Sequence, residues 1–386
     1  DRDGGLGGGL AIEGDRLVAV NGWGEVLGIS AADGSILWRR RLPAPARGGP
    51  ALFQGRAFVG TVEGQLTATL TEDGSGLWTW RGAGSGAGIL GIPLYVLNFE
   101  DEFSRVIDYF VGEYHAGRTP NPCVRCNDWL KFGRLTRYAQ AVGADFVASG
   151  HYARVGVDPV SGEKALLRGL DHRKDQSYVL FGMSRETLEH TLLPIGQFEK
   201  PRVRALAEDW KLPTFNKPDS QEICFVPDQD YAGLLKRRTP ERVRAGQLVG
   251  PDGSLLGEHP GHQHFTIGQR KGVGVARGHP LYVIDIDADS NRVTLGPREA
   301  LLKRRLVASQ INVLSSRVPD DGSPVRCAAK IRYNHDPQPA TLRRTGEDEI
   351  EVTFDRPQSA ITPGQAVVCY DGDVVLAGGW IDRAID

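Results

Sequence analysis

The first 82 residues of this 386-residue chain repeat with a period of 40. Ala32-Asp33-Gly34-Ser35-Ile36-Leu37-Trp38 returns as Glu72-Asp73-Gly74-Ser75-Gly76-Leu77-Trp78, and Gly24-Glu25-Val26-Leu27 is echoed by Glu63-Gly64-Gln65-Leu66. Each unit reads as short alternating strands, broken by Asp-Gly or Gly-Arg turns and closed by a strand that carries Trp. Such a unit buries its apolar face only against a neighbour, which confines the segment to propeller- or solenoid-type packing. About three units are needed for a continuous core, and two blades cannot close a ring. Ligand binding is therefore disfavoured for this segment, and its tryptophans read as packing residues.

The repeat resembles the PQQ-type β-propeller blade, and is most similar to that of the outer-membrane assembly lipoprotein family. It stops abruptly. Of the 49 glycines, 22 fall within residues 1–91, as do four of the seven tryptophans. The patternless run Gly82 to Gly88 leads into a different texture, which places a junction at 83–91. The chain begins at Asp1 and its one methionine is Met183, from which a processed or fragmentary N-terminus is expected. A formal charge of −2 excludes a uniformly basic nucleic-acid coat, but not a local basic surface. No apolar stretch reaches a membrane span and no signal peptide is evident. All five cysteines lie beyond residue 92. They are too few and scattered for a disulfide scaffold, which favours a reducing compartment with catalytic or metal-binding thiols.

Beyond the junction, Ile92 to Leu97 reads as a buried strand and Phe103 to Tyr114 as an amphipathic helix. A Pro-punctuated loop, a helix over Phe132 to Val142 and a strand over Asp145 to His151 follow. That order implies a parallel α/β sheet, with ligands at the C-terminal strand ends. The loop Thr119-Pro120-Asn121-Pro122-Cys123-Val124-Arg125-Cys126-Asn127 and the pair Gly150-His151 would share that rim. Three readings of Cys123-x-x-Cys126 compete: half a zinc site, a structural disulfide, and redox or sulfur-transfer chemistry, with Arg125 available to lower a neighbouring thiol's pKa. Cys224, between apolar neighbours, reads alone as a buried structural cysteine.

Several motifs occur in one order: Pro120-Asn121-Pro122 before Cys126, Ser149 to Arg154, Lys174-Asp175-Gln176-Ser177-Tyr178, Asp219 to Phe225, Phe265 to Gly272, and Pro363-Gly364-Gln365. Together they closely resemble the bacterial tRNA-specific 2-thiouridylase family over about 295 residues. The resemblance implies an adenine nucleotide alpha-hydrolase-like α/β domain over 92–227, a small central tRNA-binding domain over 228–302 and a C-terminal β-barrel over 303–386. It implies a cytoplasmic, monomeric transferase that binds no membrane and takes sulfur from a persulfide donor or relay protein. ATP, with Mg, would adenylate the C2 oxygen of the wobble uridine, and a cysteine persulfide would then deliver sulfur as AMP leaves.

By the same resemblance Cys224 carries the persulfide and Cys126 is its partner nucleophile, the two forming a disulfide during turnover. Asn121, Pro122 and Cys123 match the segment that meets the target base, and many members have Asp in place of Cys123. Gly150 matches an ATP contact. His151, Lys174, Asp175, Gln176, Arg332, Tyr333 and Gln365 match tRNA contacts. Read without that frame, Lys174 to Gln176 is a solvated loop and Arg332-Tyr333 an ordinary strand pair. The runs Lys236 to Arg244 and Arg298 to Arg305 offer charge to phosphates or form solvated faces. Cys327 and Cys369 fall in alternating strands and are expected to be buried and inert.

The family's Ser-Gly-Gly-x-Asp-Ser loop, whose amides cradle pyrophosphate, does not occur in this sequence. The expected fold is thus an N-terminally truncated nucleotide-binding domain behind an all-β propeller-blade fragment over 1–82. A fused reading frame or an assembly chimera accounts for that arrangement. The expected activity is tRNA binding with impaired thiolation, or a non-catalytic tRNA-binding remnant.

Overall fold

The computed structural model describes residues 9–21, 23–46, 49–61, 65–81, 97–212, 215–216, 223–226, 230–275 and 278–386. The expected strand over Ile92 to Leu97 and the junction at 83–91 lie outside the described residues, apart from Leu97. The chain divides into two compact units, 1–99 with 204–218, and 100–203 with 219–386. No helix among the described residues is long and apolar enough to cross a membrane.

The first unit contains two four-stranded antiparallel sheets, one per repeat, each a meander in sequence order. Turn chemistry repeats with the sequence: Asp33 Oδ1 accepts from Ser35 N at 3.0 Å and Asp73 Oδ1 from Ser75 N at 2.8 Å. Trp38 pins the sheets together, its Nε1 donating to the Thr71 carbonyl at 2.9 Å. Gly74, at φ +71°, admits the indole, because a Cβ there would lie 2.6 Å from Trp38 Cε3. Val18, Val26, Ala57 and Val59, all fully buried, fill the space between the sheets. This is the inter-blade Trp packing that the propeller resemblance implies.

The second unit is built on a closed barrel. Strands Leu302–Val313, Glu349–Ser359, Gln338–Arg344, Val325–Lys330, Ala366–Asp371 and Val374–Ile385 pair in that order, and the last pairs back with the first. Alternation makes the interior: Leu306, Ile350, Val352, Phe354 and Leu376 are fully buried. Cys327 and Cys369 are buried here as expected. A hairpin, Ala153–Val157 with Lys164–Arg168, extends this sheet through Leu167 opposite Val374.

A second, four-stranded sheet is formed by Leu255–His259, Gly246–Val249, Arg292–Gly296 and Tyr282–Asp287, with its central pair parallel. Leu248, Val283, Val293 and Leu295 form its core with Phe265.

The α/β part departs from expectation in two places. The strand expected over Asp145 to His151 shortens to Val147–Ala148, paired in parallel with Thr191–Leu192. The helix expected over Phe132 to Val142 begins ten residues earlier, at Pro122–Cys126, and continues as a π-helix over Asn127–Arg134 into Leu135–Ala141. Asn121 caps that helix and Pro122 occupies its first turn, two helix-start signals within the segment that the sequence reads as a Pro-punctuated loop.

Candidate functional site

The helix Pro122–Cys126 is fixed from both ends. Asn121 Oδ1 accepts from Val124 N at 3.4 Å, and Asn127 Nδ2 donates to the Val179 carbonyl at 2.9 Å. Gln365 Nε2 donates to the carbonyls of Thr119 and Pro120 at 3.1 and 3.0 Å. Opposite it, Ile223 and Phe225 pack against the helix Glu100–His115, with Phe225 edge-on to Phe110 at 5.2 Å and to Phe103 at 5.8 Å. Those apolar neighbours anchor the chain on either side of Cys224 while its own side chain stays exposed. The sequence-based reading of a buried structural cysteine is therefore replaced: the anchors are buried and the thiol is presented.

Cys123, Cys126 and Cys224 line one cavity of about 450 Å³, together with Lys131, His151 and Tyr333. Asn121, Pro122 and Gln176 also face it. Two chain segments that are distant in sequence thus bring three thiols to one space, and all three are free.

The electrostatics of the cavity resist ionisation. Burial pushes the Cys126 thiol above the ordinary range, Lys131 pulls it back, and Cys224 adds to the rise. Cys123 is raised by burial first and then by the other two thiols, with Lys131 again opposing. His151 is lowered to about 4 by burial and by Lys131. Its Nδ1 lies 2.7 Å from Ser149 Oγ, so a neutral imidazole faces the thiols at neutral pH.

The cation beside the thiols is Lys131, and not Arg125 as the sequence suggested. Arg125 turns away, with its guanidinium 4.0 Å from the Trp380 ring centroid and Nη2 2.5 Å from Gln310 Oε1. Lys131 was missed because five residues separate it from Cys126, which on an α-helix would turn it elsewhere. The i→i+5 pitch of the π-helix stacks positions five apart, and no residue type signals that pitch in advance.

Other expected site residues lie outside the cavity lining. Asp175 is only 4% exposed. Its carboxylate meets Arg168 Nε at 3.1 Å and accepts from Gly169 N and from Ser177 N and Oγ, each at 3.0 Å. Its neighbour Gln176 reaches the cavity while Oε1 accepts from Tyr152 N at 2.9 Å. Lys174 is half-buried, Gly150 is exposed just beyond the short parallel pair, and Gln365 serves the loop as described. Arg332 donates to the Ser359 carbonyl at 2.8 Å. The basic runs are largely tied down: Arg238 pairs with Asp108 at 3.6 Å and Lys303 with Asp386 at 2.6 Å.

Family models match along the chain. The tRNA methyl transferase HUP domain covers residues 68–228, the tRNA methyl transferase PRC-barrel domain 233–297, and the aminomethyltransferase beta-barrel domain 303–381. Outer membrane protein assembly factor BamB matches residues 1–104 and overlaps the first of these. Similar solved structures include BamB from Moraxella catarrhalis, at 19% identity over 20% of this chain and 25% of that one, with a TM-score of 0.19 that carries no argument. A tRNA-specific 2-thiouridylase MnmA of Clostridioides difficile is 48% identical over 297 residues, spanning 77% of this chain and 82% of that protein. One of Symbiobacterium thermophilum is 49% identical over 299 residues, 77% of this chain and 76% of that protein. With three matched domains in sequence and relatives at this identity, the chain belongs to the tRNA-specific 2-thiouridylase MnmA family.

Proposed function

We propose that this chain carries the sulfur-handling and tRNA-binding parts of a tRNA uridine 2-sulfurtransferase. The observation that carries the reading is the shared cavity of Cys126 and Cys224. Cys224, the exposed thiol, accepts the outer sulfur of a donor protein's persulfide. That sulfur bonds to C2 of an activated uridine as the C2 oxygen departs with its leaving group. Cys126 then attacks the inner sulfur, the persulfide bond breaks, and the electron pair stays on the new thiocarbonyl. A Cys126–Cys224 disulfide remains, which a cellular dithiol resets. The target base meets Asn121, Pro122 and Cys123 at the cavity wall, and His151, Lys174, Gln176, Arg332 and Tyr333 contact the RNA around it. Asp175 and Gln365 support those contacts from behind.

The described residues do not fit ATP and Mg. Among the described lining residues Lys131 is the one Lys or Arg, Gly150 is the single nucleotide contact matched by the resemblance, and the sequence holds no Ser-Gly-Gly-x-Asp-Ser loop. Activation of the uridine is therefore impaired in this chain, whose nucleotide-binding domain over 92–227 is without that loop and is followed by central and barrel domains over 228–302 and 303–386. The same gap favours a second reading, a non-catalytic tRNA-binding protein behind two propeller blades over 1–82. Incubating the chain with tRNA, ATP and a persulfide donor separates these outcomes. Salt-sensitive tRNA binding with sulfur on Cys224 and no 2-thiouridine is expected, binding without sulfur loading supports the second reading, and robust 2-thiouridine formation overturns the impairment.

A further inference from the structure

Beside the thiol cavity lies a second one, of about 310 Å³, lined by Arg270, Arg298, Arg332 and Tyr282. Three guanidinium groups from three chain segments face one space, and no carboxylate is among the described lining residues. Arg270 and Arg298 are exposed and make no ion pair or hydrogen bond among the described residues. Arg332 donates Nη2 to the Ser359 carbonyl, yet its Nε is buried with no partner. A buried charged donor left unpaired is costly, and three like charges repel one another unless an anion joins them.

The arrangement is built. Gly268, at φ +89°, lets the Phe265 to Gly272 loop approach the barrel, because a Cβ there would lie 2.7 Å from Ala360 Cβ. Gly268 N donates to the Val283 carbonyl at 2.8 Å, and Val283 N to the Gln269 carbonyl at 2.9 Å. Ala360 N donates to the Leu301 carbonyl at 3.0 Å, tying the turn that bears Arg298 to the same barrel edge. Three cations, none of them ion-paired among the described residues, are thereby carried on one hydrogen-bonded barrel edge.

Arg332 and Tyr333 are consecutive, and the first lines this cavity while the second lines the thiol cavity. Neighbouring Cα atoms stand only about 3.8 Å apart, so one short stretch of backbone contributes to both cavities. We propose that the arginine cavity binds a backbone phosphate of the RNA strand next to the target base, with the guanidinium groups as charge-assisted donors. This rests on the tRNA reading above. It assigns a role to Arg270 within the Phe265 to Gly272 motif and separates Arg298 from the structural cations at 303–305.

The test is the salt dependence of tRNA binding by the full chain. Each phosphate contact contributes roughly 0.7–0.9 to the slope of log affinity against log salt. The double substitution Arg270→Gln with Arg298→Gln is expected to reduce that slope by about 1–2 and affinity at least tenfold. Both residues are exposed, and an unchanged circular dichroism spectrum and melting temperature would establish that the variant folds. Arg326→Gln is the charge control, because Arg326 forks onto Asp355 at 2.8 and 2.9 Å on another part of the barrel; its slope is expected to match the parent. Wild-type binding with an unaltered slope in the double variant overturns the phosphate site alone, as does an equal loss in Arg326→Gln. Inorganic phosphate bound by wild type and lost in the double variant, with tRNA binding unaffected, identifies a free-anion site and also overturns it. If wild-type protein binds no tRNA, the tRNA reading itself fails and this site falls with it.

Discussion

Gln365 holds Pro120: its Nε2 donates to the Pro120 carbonyl at 3.0 Å and to the neighbouring Thr119 carbonyl at 3.1 Å. A barrel residue thus sets the start of the helix that carries Cys123 and Cys126. Thr119 N in turn donates to the Pro363 carbonyl at 2.9 Å, so the loop that leads into the cysteine-bearing helix is bonded to the barrel from both partners. Gln365→Ala leaves two carbonyls to find water, and a destabilisation of about 1–3 kcal/mol is expected. The informative readout is the yield of Cys126–Cys224 disulfide under mild oxidation, which should fall together with the melting temperature. A variant that loses only RNA affinity would assign Gln365 to the RNA instead.

Lys131 is the cation that keeps two crowded thiols from rising further. Replacing it with Met removes the positive charge that lowers both Cys126 and Cys123. At a fixed pH near 8, alkylation of both cysteines by iodoacetamide should slow several-fold, because only the thiolate reacts. Peptide mass spectrometry against time gives the rates, and equal rates in wild type and variant would remove Lys131 from the thiol chemistry.

His151, at 8% exposure, should confer a pH-dependent stability. Its pKa falls from 6.5 when free to about 4 in the fold. Between those values the unfolded chain binds the extra proton, so stability is complete above pH 6.5 and declines as pH falls toward 4. The contribution is roughly 3 kcal/mol, from about 1.4 kcal/mol per pKa unit. Urea titrations of wild type and His151→Gln across that range should differ in slope, and parallel curves would contradict a buried neutral imidazole.

Asp175 illustrates a residue whose surroundings override its sequence neighbours. Its substitution by Ala leaves Arg168, with a side chain only 16% exposed, facing the void. A loss of about 3–5 kcal/mol is expected, measured by thermal or chemical unfolding. A variant with wild-type stability and weakened tRNA binding would return Asp175 to the RNA surface.

How much of this was legible in the sequence follows from what each residue depends on. The strand alternation around Cys327 and Cys369 foretold burial, because a barrel wall has an inside and an outside at every other position. The repeat foretold the blade pair and the packing of Trp38, since both follow from a period visible along the chain. Cys126 and Cys224 were legible through their motifs, but Cys224 taken alone was misleading: its neighbours are apolar because they anchor it. Lys131 required the π-helical pitch, Gln365 a bond across 246 positions, and the orphaned Nε of Arg332 a knowledge of its burial. Each depends on tertiary placement, which local pattern does not encode.

The most direct test of the sulfur-transfer account is to label the chain with ³⁵S from cysteine through a cysteine desulfurase and map the sulfur by peptide. The account predicts one reducible sulfur on Cys224, none on Cys327 or Cys369, and a Cys126–Cys224 disulfide as the main product once that sulfur is released. Label on Cys123 or Cys126 with Cys224 unmodified, or release that leaves Cys126 a free thiol, would contradict it.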